Sequence, residues 1–103
     1  MLTFVESRLF TRLVGDYLDE NGYALLHAWL AFRPRSGAVI PGAGGLRKLR
    51  WGIKGRGKHG GIRVIYWLRE GEGEIWMLTL YAKNEADDLP LHVLRKIREE
   101  IDG

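Results

Sequence analysis

The 103-residue chain has no cysteine. Disulfide staples and cysteine-based zinc sites are therefore excluded, and packing and hydrogen bonds alone must hold the fold. No run of about 18 apolar residues is present, so no segment reads as a membrane span. The start, Met1-Leu2-Thr3-Phe4-Val5-Glu6, lacks the basic opening and long apolar stretch of a secretory signal. A cytoplasmic protein without membrane partners is the expectation. The most informative scarcity is of acid. Between Glu20 and Glu70 there is no Asp or Glu, while Arg33, Arg35, Arg47, Lys48, Arg50, Lys54, Arg56, Lys58, Arg63 and Arg69 all fall there. The flanking segments are acidic on balance, which brings the formal net charge down to only +3. A solvated charged face usually mixes both signs. One concentrated cationic segment on a neutral-to-acidic scaffold is the footprint of a polyanion partner, nucleic acid first.

Hydrophobic residues make up 46% of the chain, with four Trp and four Tyr, which excludes intrinsic disorder. The length suits one domain, residues 1–103, with a single modest core. Residues 2–5 read as a short strand. From Ser7 to Leu18, Leu9, Phe10, Leu13, Val14 and Tyr17 recur at helical spacing, and Ser7 is placed to cap them. Asp19 to Arg33 predicts a second helix with Tyr23, Leu26, Leu30 and Ala31 or Trp29 inward, and Pro34 stops it. Gly37, Pro41, Gly42, Gly44 and Gly45 mark residues 35–45 as a loop. Three strands follow. In Leu46–Trp51, Lys48 and Arg50 share one face and Arg47, Leu49 and Trp51 the other. Ile62–Leu68 and Ile75–Tyr81 are β-branched and aromatic, and a Gly-Glu-Gly-Glu turn joins them. Asp87 or Asp88 then caps a last helix with Pro90 in its first turn and Leu91, Leu94, Ile97 and Ile101 as its buried stripe. Helices, an antiparallel meander and a final helix make an α+β pattern.

Two glycine motifs in the cationic segment fail on context. Gly52-x-x-x-x-Gly57-Lys58-His59 has His where a phosphate-cradling loop needs Ser or Thr, and a strand follows where a helix is required. Gly55-x-Gly57-x-x-Gly60 opens no helix either. Both are features of a Gly- and Lys-rich hairpin loop. The three histidines, His27, His59 and His92, are far apart and have no carboxylates at ligand spacing, so no metal site is read. Metal-dependent nucleases gather Asp and Glu around their cations, and the cationic segment holds neither. If the chain cuts a phosphodiester, the expected chemistry is metal-free. Arg and Lys would stabilise charge on the pentavalent phosphorus, with the RNA's own 2′-hydroxyl as nucleophile. A lysine crowded by other cations is disfavoured in its charged form and can act as base.

Three blocks stand out in order: Gly44-Gly45-Leu46-Arg47-Lys48-Leu49-Arg50, then Gly55-Arg56-Gly57-Lys58-His59-Gly60-Gly61-Ile62-Arg63-Val64-Ile65-Tyr66, then Leu78-Thr79-Leu80-Tyr81-Ala82-Lys83-Asn84-Glu85. Together they resemble the RelE/HigB family of bacterial toxins, nearest to its HigB-like branch with G-G-L-R-K, G-G-x-R-x-I-Y and Y-x-K-N-E blocks. The resemblance implies a RelE-like microbial ribonuclease fold, with N-terminal helices packed on an antiparallel sheet plus a C-terminal helix. It implies the toxin of a toxin–antitoxin system, a ribosome-dependent endoribonuclease that cuts messenger RNA in the ribosomal A site and so inhibits translation. No metal or other cofactor is implied, and the product carries a 2′,3′-cyclic phosphate. The implied partners are a cognate antitoxin, HigA-like with a helix-turn-helix, and the 70S ribosome with its messenger RNA.

Carried over residue by residue, Lys48 and Arg50 occupy the two basic cleft positions on one strand, and Arg63 contacts the scissile phosphate. Lys83 and Asn84 join the same cleft, and Tyr81 stacks on a base. Arg47, Lys54, Arg56, Lys58, His59 and Tyr66 complete the expected RNA-binding set. The C-terminal tyrosine or histidine that several relatives use is missing, since nothing aromatic follows Tyr81 except His92. The base therefore stays open among Lys48, Lys54, Lys58 and His59. Two other functions remain: an RNA- or ribosome-binding module that does not cut, and a gyrase-directed toxin of the same fold in the manner of ParE. The latter branch generally lacks the basic set formed by Lys48, Arg50 and Arg63.

Overall fold

A computed structural model describes residues 1–52, 61–86 and 88–102 of the chain. Along the sequence run β1 (Thr3–Glu6), α1 (Arg8–Tyr17), α2 (Glu20–Phe32), β2 (Ala38–Val39), β3 (Leu46–Trp51), β4 (Ile62–Arg69), a 3-10 turn (Glu70–Glu72), β5 (Glu74–Ala82) and α3 (Leu91–Asp102). The helix starts follow from side-chain caps. Ser7 Oγ accepts from the Phe10 N–H at 3.0 Å and donates to the Leu78 carbonyl at 2.7 Å, so one residue both starts α1 and ties it to β5. Asp19 accepts from the Gly22 N–H at 2.7 Å at the head of α2.

The five strands form one sheet in the order β1-β5-β4-β3-β2. β3, β4 and β5 make the antiparallel meander expected from the sequence. The sheet is nevertheless mixed, because β1 pairs with β5 in parallel. The α1–α2 hairpin carries the chain across the sheet after β1, the kind of crossover a parallel pair requires. The stretch expected as loop contains β2, with Ala38 opposite Lys48 and Val39 opposite Arg47. Two residues are too few to show periodicity.

Strand alternation divides the core in two. On one face Phe10 of α1 and Leu26 and Leu30 of α2 pack on Leu49, Ile62, Val64, Tyr66, Ile75 and Met77. On the other, Leu94, Ile97 and Ile101 of α3 pack against Leu46, Ile65, Leu78 and Trp67. A bulge in β5 makes this division possible. Ile65 faces Thr79 while Tyr66 faces Met77, so Leu78 is the extra residue and stays on the α3 face. Trp29 and Ala31 turn out to solvent, and the inward residues of α2 are Leu26, Leu30 and, half-buried, Tyr23. α3 departs from expectation at its start. Asp88 does not cap it, because its carboxylate pairs with Lys48. The Pro90 carbonyl instead accepts from the Val93 and Leu94 amides at 3.0 and 3.1 Å. The other proposed cap, Asp87, lies outside the described residues, and Leu91 is exposed.

Tyr66 pins the link between α2 and the sheet. It is fully buried. Its hydroxyl donates to the Pro34 carbonyl at 2.7 Å and accepts from the Gly37 N–H at 2.8 Å. A Cβ on Gly37 would sit 2.6 Å from the Tyr66 ring, so only glycine lets the backbone come this close. Tyr66→Phe leaves both backbone groups unpaired and should cost about 1–3 kcal/mol of stability. Urea unfolding should show a lower midpoint at an unchanged slope.

Glu85 closes the turn after β5. It accepts from the Tyr17 hydroxyl at 2.5 Å and from the Ala82 N–H at 2.8 Å. The Tyr17 donor, with the Ala82 amide adding to it, holds this carboxyl below its ordinary value of 4.5. The ionised form is thus the one the fold binds. Its stabilising effect is present above 4.5 and is lost as pH falls through the folded value. Glu85→Gln should flatten the acid limb of a thermal-stability profile below about pH 4.5 and leave its neutral limb with little pH dependence.

Candidate active site

On β3 the alternation puts Leu46, Lys48 and Arg50 towards α3, with Leu46 buried in the α3-side core and Leu49 in the opposite one. The β3–β4 register sets Arg50 directly opposite Arg63, and the β4–β5 register sets Arg63 opposite Tyr81. Arg50, Arg63 and Tyr81 therefore form one row across three strands. Lys48 begins the next row, opposite Ile65, which faces Thr79. Like charges directly opposite each other in a sheet repel. Arg50 is exposed and Arg63 half-buried, and Arg63 Nη1 reaches only as far as the Ile62 carbonyl at 3.4 Å. Such a row is unfavourable on its own and becomes favourable around an anion.

One carboxylate already stands there. Lys48 Nζ donates to Asp88. Asp88 is held below the ordinary carboxylate range first by that bond and by the Lys48 charge, and then by Arg63 and Arg50. All three cations thus act on the same point. The Asp88 side chain is 69% exposed, so the pair is of the weak, solvent-screened kind that another anion can displace. While the pair stands, Lys48 is no free base; that role requires Asp88 to leave it.

Tyr81 is in the row but not as a stacking platform. It is only 7% exposed, packed in the α3-side core, so its ring face is closed to a splayed base. Burial pushes the hydroxyl up, the Asp88 charge adds to this, and Arg63 and the nearby Leu89 amide oppose it. The hydroxyl is buried without a hydrogen bond of good geometry among the described residues.

Two expected RNA contacts lie elsewhere. Tyr66 is buried on the opposite face of the sheet, and Arg47 on that side donates to the Gly37 carbonyl at 2.8 Å and the Arg35 carbonyl at 3.3 Å. Both hold the 34–37 connection and neither reaches the row. Lys83 and Asn84 are exposed in the turn that Glu85 closes, and the Lys83 amide donates to the Gly61 carbonyl at 3.1 Å. That bond keeps the turn at the Arg63 end of β4. Lys54, Arg56, Lys58 and His59 lie outside the described residues. The tryptophans serve packing: Arg98 covers Trp67 at 3.6 Å from its centroid, and Trp51 leans on Trp29 at 6.3 Å. His27 stacks on Phe4. Among the described residues no group of three His, Asp or Glu is placed to hold a metal ion.

The site residue that sequence reasoning missed is Asp88. It was legible only as a possible cap, because its partner is forty positions away. Chemically, two guanidinium groups and one ammonium fixed on a sheet can bind a phosphate and stabilise added negative charge on it.

No protein-family model matches the sequence. A mutant of the Escherichia coli toxin RelE in the free state superposes with a TM-score of 0.58 at 12% identity, over 94% of this chain and 96% of that one. The conserved hypothetical protein HP0892 from Helicobacter pylori superposes with a TM-score of 0.45 at 20% identity, over 82% of this chain and 98% of that one. The second match is too loose to build on, and the first, at its low identity, speaks to the fold. Three helices on a five-stranded mixed sheet, matched to RelE over nearly their whole length, make this chain an α+β domain of the RelE-like fold.

Proposed function

We propose that the chain is the toxin of a toxin–antitoxin pair, a HigB-like endoribonuclease that cuts messenger RNA in the ribosomal A site without a metal. The observation that carries this reading is the register placing Arg50 against Arg63, with Lys48 beside them on the same face of a RelE-like sheet. A merely structural sheet has no reason to confront two arginines. In the proposed reaction the ribose 2′-hydroxyl attacks the adjacent phosphorus and gives up its proton to a base. The bond from phosphorus to the 5′-oxygen breaks, that oxygen takes a proton, and the products are a 2′,3′-cyclic phosphate and a free 5′-hydroxyl. Arg50 and Arg63 hold the non-bridging oxygens, on which charge builds in the transition state. Lys48, once released from Asp88, adds a third cation or carries a proton, and Lys83 approaches from the turn. A cognate antitoxin, HigA-like in this reading, keeps the toxin silent by covering or distorting this cationic face.

The test is 5′-end mapping of a defined messenger RNA after reconstituted translation, with wild-type protein, Arg63→Ala and a control lacking ribosomes. Cuts in codon phase that require ribosomes should appear with wild type and fall by a factor of about 100 or more with Arg63→Ala. Intact RNA with folded wild-type protein sinks the nuclease reading and leaves a non-cutting RNA binder or a gyrase-directed toxin.

Asp88 competes with the phosphate in this scheme. Asp88→Asn should tighten binding of single-stranded RNA severalfold in fluorescence anisotropy at low salt. The gain should shrink as salt is raised, since the removed repulsion is screened. Unchanged or weaker binding at low salt counts against Asp88 occupying the phosphate position.

A further inference from the structure

The helix α2 is apolar on every side. From Asn21 to Phe32 it contains no Asp, Glu, Lys or Arg. A helix that is hydrophobic all round belongs in an interior. Leu26 and Leu30 are buried against the sheet, but the outer face is open to solvent. There Phe32 is 79% and Leu25 66% exposed, Trp29 is exposed beside them, and Ala24 and Ala28 complete the surface. The solvated side of α3, by contrast, carries Arg95, Lys96 and Glu99. A contiguous exposed apolar patch of this kind marks an interface.

Shape and charge together define what covers it. Large and small side chains follow one another along α2 in an order that complements itself when a second α2 runs antiparallel. Pairing centred between Leu26 and His27 sets Leu25 opposite Ala28 of the second copy and Phe32 opposite Asn21. By two-fold symmetry each of these pairs occurs twice. Beside Asn21 lies a cavity of about 480 Å³, which Tyr17, Asp19, Leu25 and Trp51 also line. In this register the protruding Phe32 of the other copy arrives there. Charge runs the same way. Arg33 lies over the Trp29 and Phe32 rings at 5.3 and 5.6 Å and has no carboxylate partner among the described residues. Asp19 caps the opposite end of the helix. Antiparallel pairing brings Arg33 of one copy to Asp19 of the other, and sets the positive end of each helix beside the negative end of its mate. A parallel pair would instead confront Arg33 with Arg33 and Phe32 with Phe32. We propose that the chain forms a two-fold homodimer through antiparallel contact of the outer faces of α2. The cationic row lies on the α3 side of the sheet, so this contact leaves the row of each copy uncovered. The dimer therefore stands or falls independently of what the row binds.

One pair of helices about 20 Å long makes an interface at the lower end of the specific range, so the dimer is weak and concentration-dependent. Sedimentation equilibrium of the wild-type protein from about 1 to 300 µM should show the mass rise from one chain towards two. Ala28→Glu adds a charge at an exposed helical position, so the fold should keep its circular dichroism. It should raise the dissociation constant at least about tenfold, because the carboxylate is buried in the contact without a partner. The absence of native cysteine lets the geometry be read by cross-linking. Asn21→Cys and Phe32→Cys, oxidised together at about 100 µM, should give the mixed disulfide and each alone very little, because like positions lie roughly 16 Å apart in this register. A single-chain mass at every concentration overturns the proposal, and so does a dimer that Ala28→Glu leaves intact. Self-links of either cysteine variant as abundant as the mixed product overturn the antiparallel arrangement and the proposal with it.

Discussion

Arg50 and Arg63 are held face to face by everything around them except each other. The register of β3 on β4 is set by Leu49 opposite Val64 and Trp51 opposite Ile62 on the α1–α2 side, and by Leu46 opposite Trp67 on the α3 side. Slipping this pairing by one residue exchanges the faces of a strand. Lys48 and Arg50 would then turn into a core of Phe10, Leu26 and Leu30, and Leu49 would face the arginine row. That alternative is closed by the cost of burying unpaired charge. Two further contacts lock the register from its edges. Tyr66 reaches across to Pro34 and Gly37, and Gly45, at a φ of +94° that suits glycine, brings the start of β3 in under Trp67. The strand positions of the cation cluster are thus a by-product of apolar packing.

Much of this was legible in the sequence because it is periodic. β3 matches its expected bounds, β4 and β5 extend theirs by a residue or so, and the helices follow Ser7, Asp19 and Pro34. The shared face of Lys48 and Arg50 follows from spacing of two. The alignment of Arg50 with Arg63 is a matter of register, which the hairpin between them leaves open in the sequence. What sequence reasoning missed depends on distant partners. Tyr66 and Tyr81 look alike as strand aromatics, yet they lie on opposite faces, because the alternation runs in different phase along β4 and β5 and a bulge intervenes at Leu78. Asp88 resembled a helix cap until Lys48, forty residues back, was brought beside it.

Three cations gathered without RNA need an internal answer, and Asp88 provides a partial one. A single carboxylate can hydrogen-bond Lys48 and lower the field at Arg50 and Arg63, but among the described residues it takes no guanidinium donor, and Arg63 reaches only the Ile62 carbonyl. That leftover is what a phosphodiester, with two non-bridging oxygens in reach of two forks, is better shaped to use. A buried acid in the same place would hold the cluster more tightly and would be harder to displace. An exposed one keeps the exchange of anions cheap.

The position of Asp88 along the chain bears on that exchange. Glu85 fastens one end of its segment to Tyr17 and Ala82, and Pro90 fastens the other to the first turn of α3. Asp88 lies between these anchors, and its neighbour Leu89 borders a cavity beside Tyr81, as does Leu91 just beyond Pro90. Rotation about the side-chain bonds of the exposed Asp88 is enough to take its carboxylate off Lys48, so the exchange stays local and leaves these anchors in place.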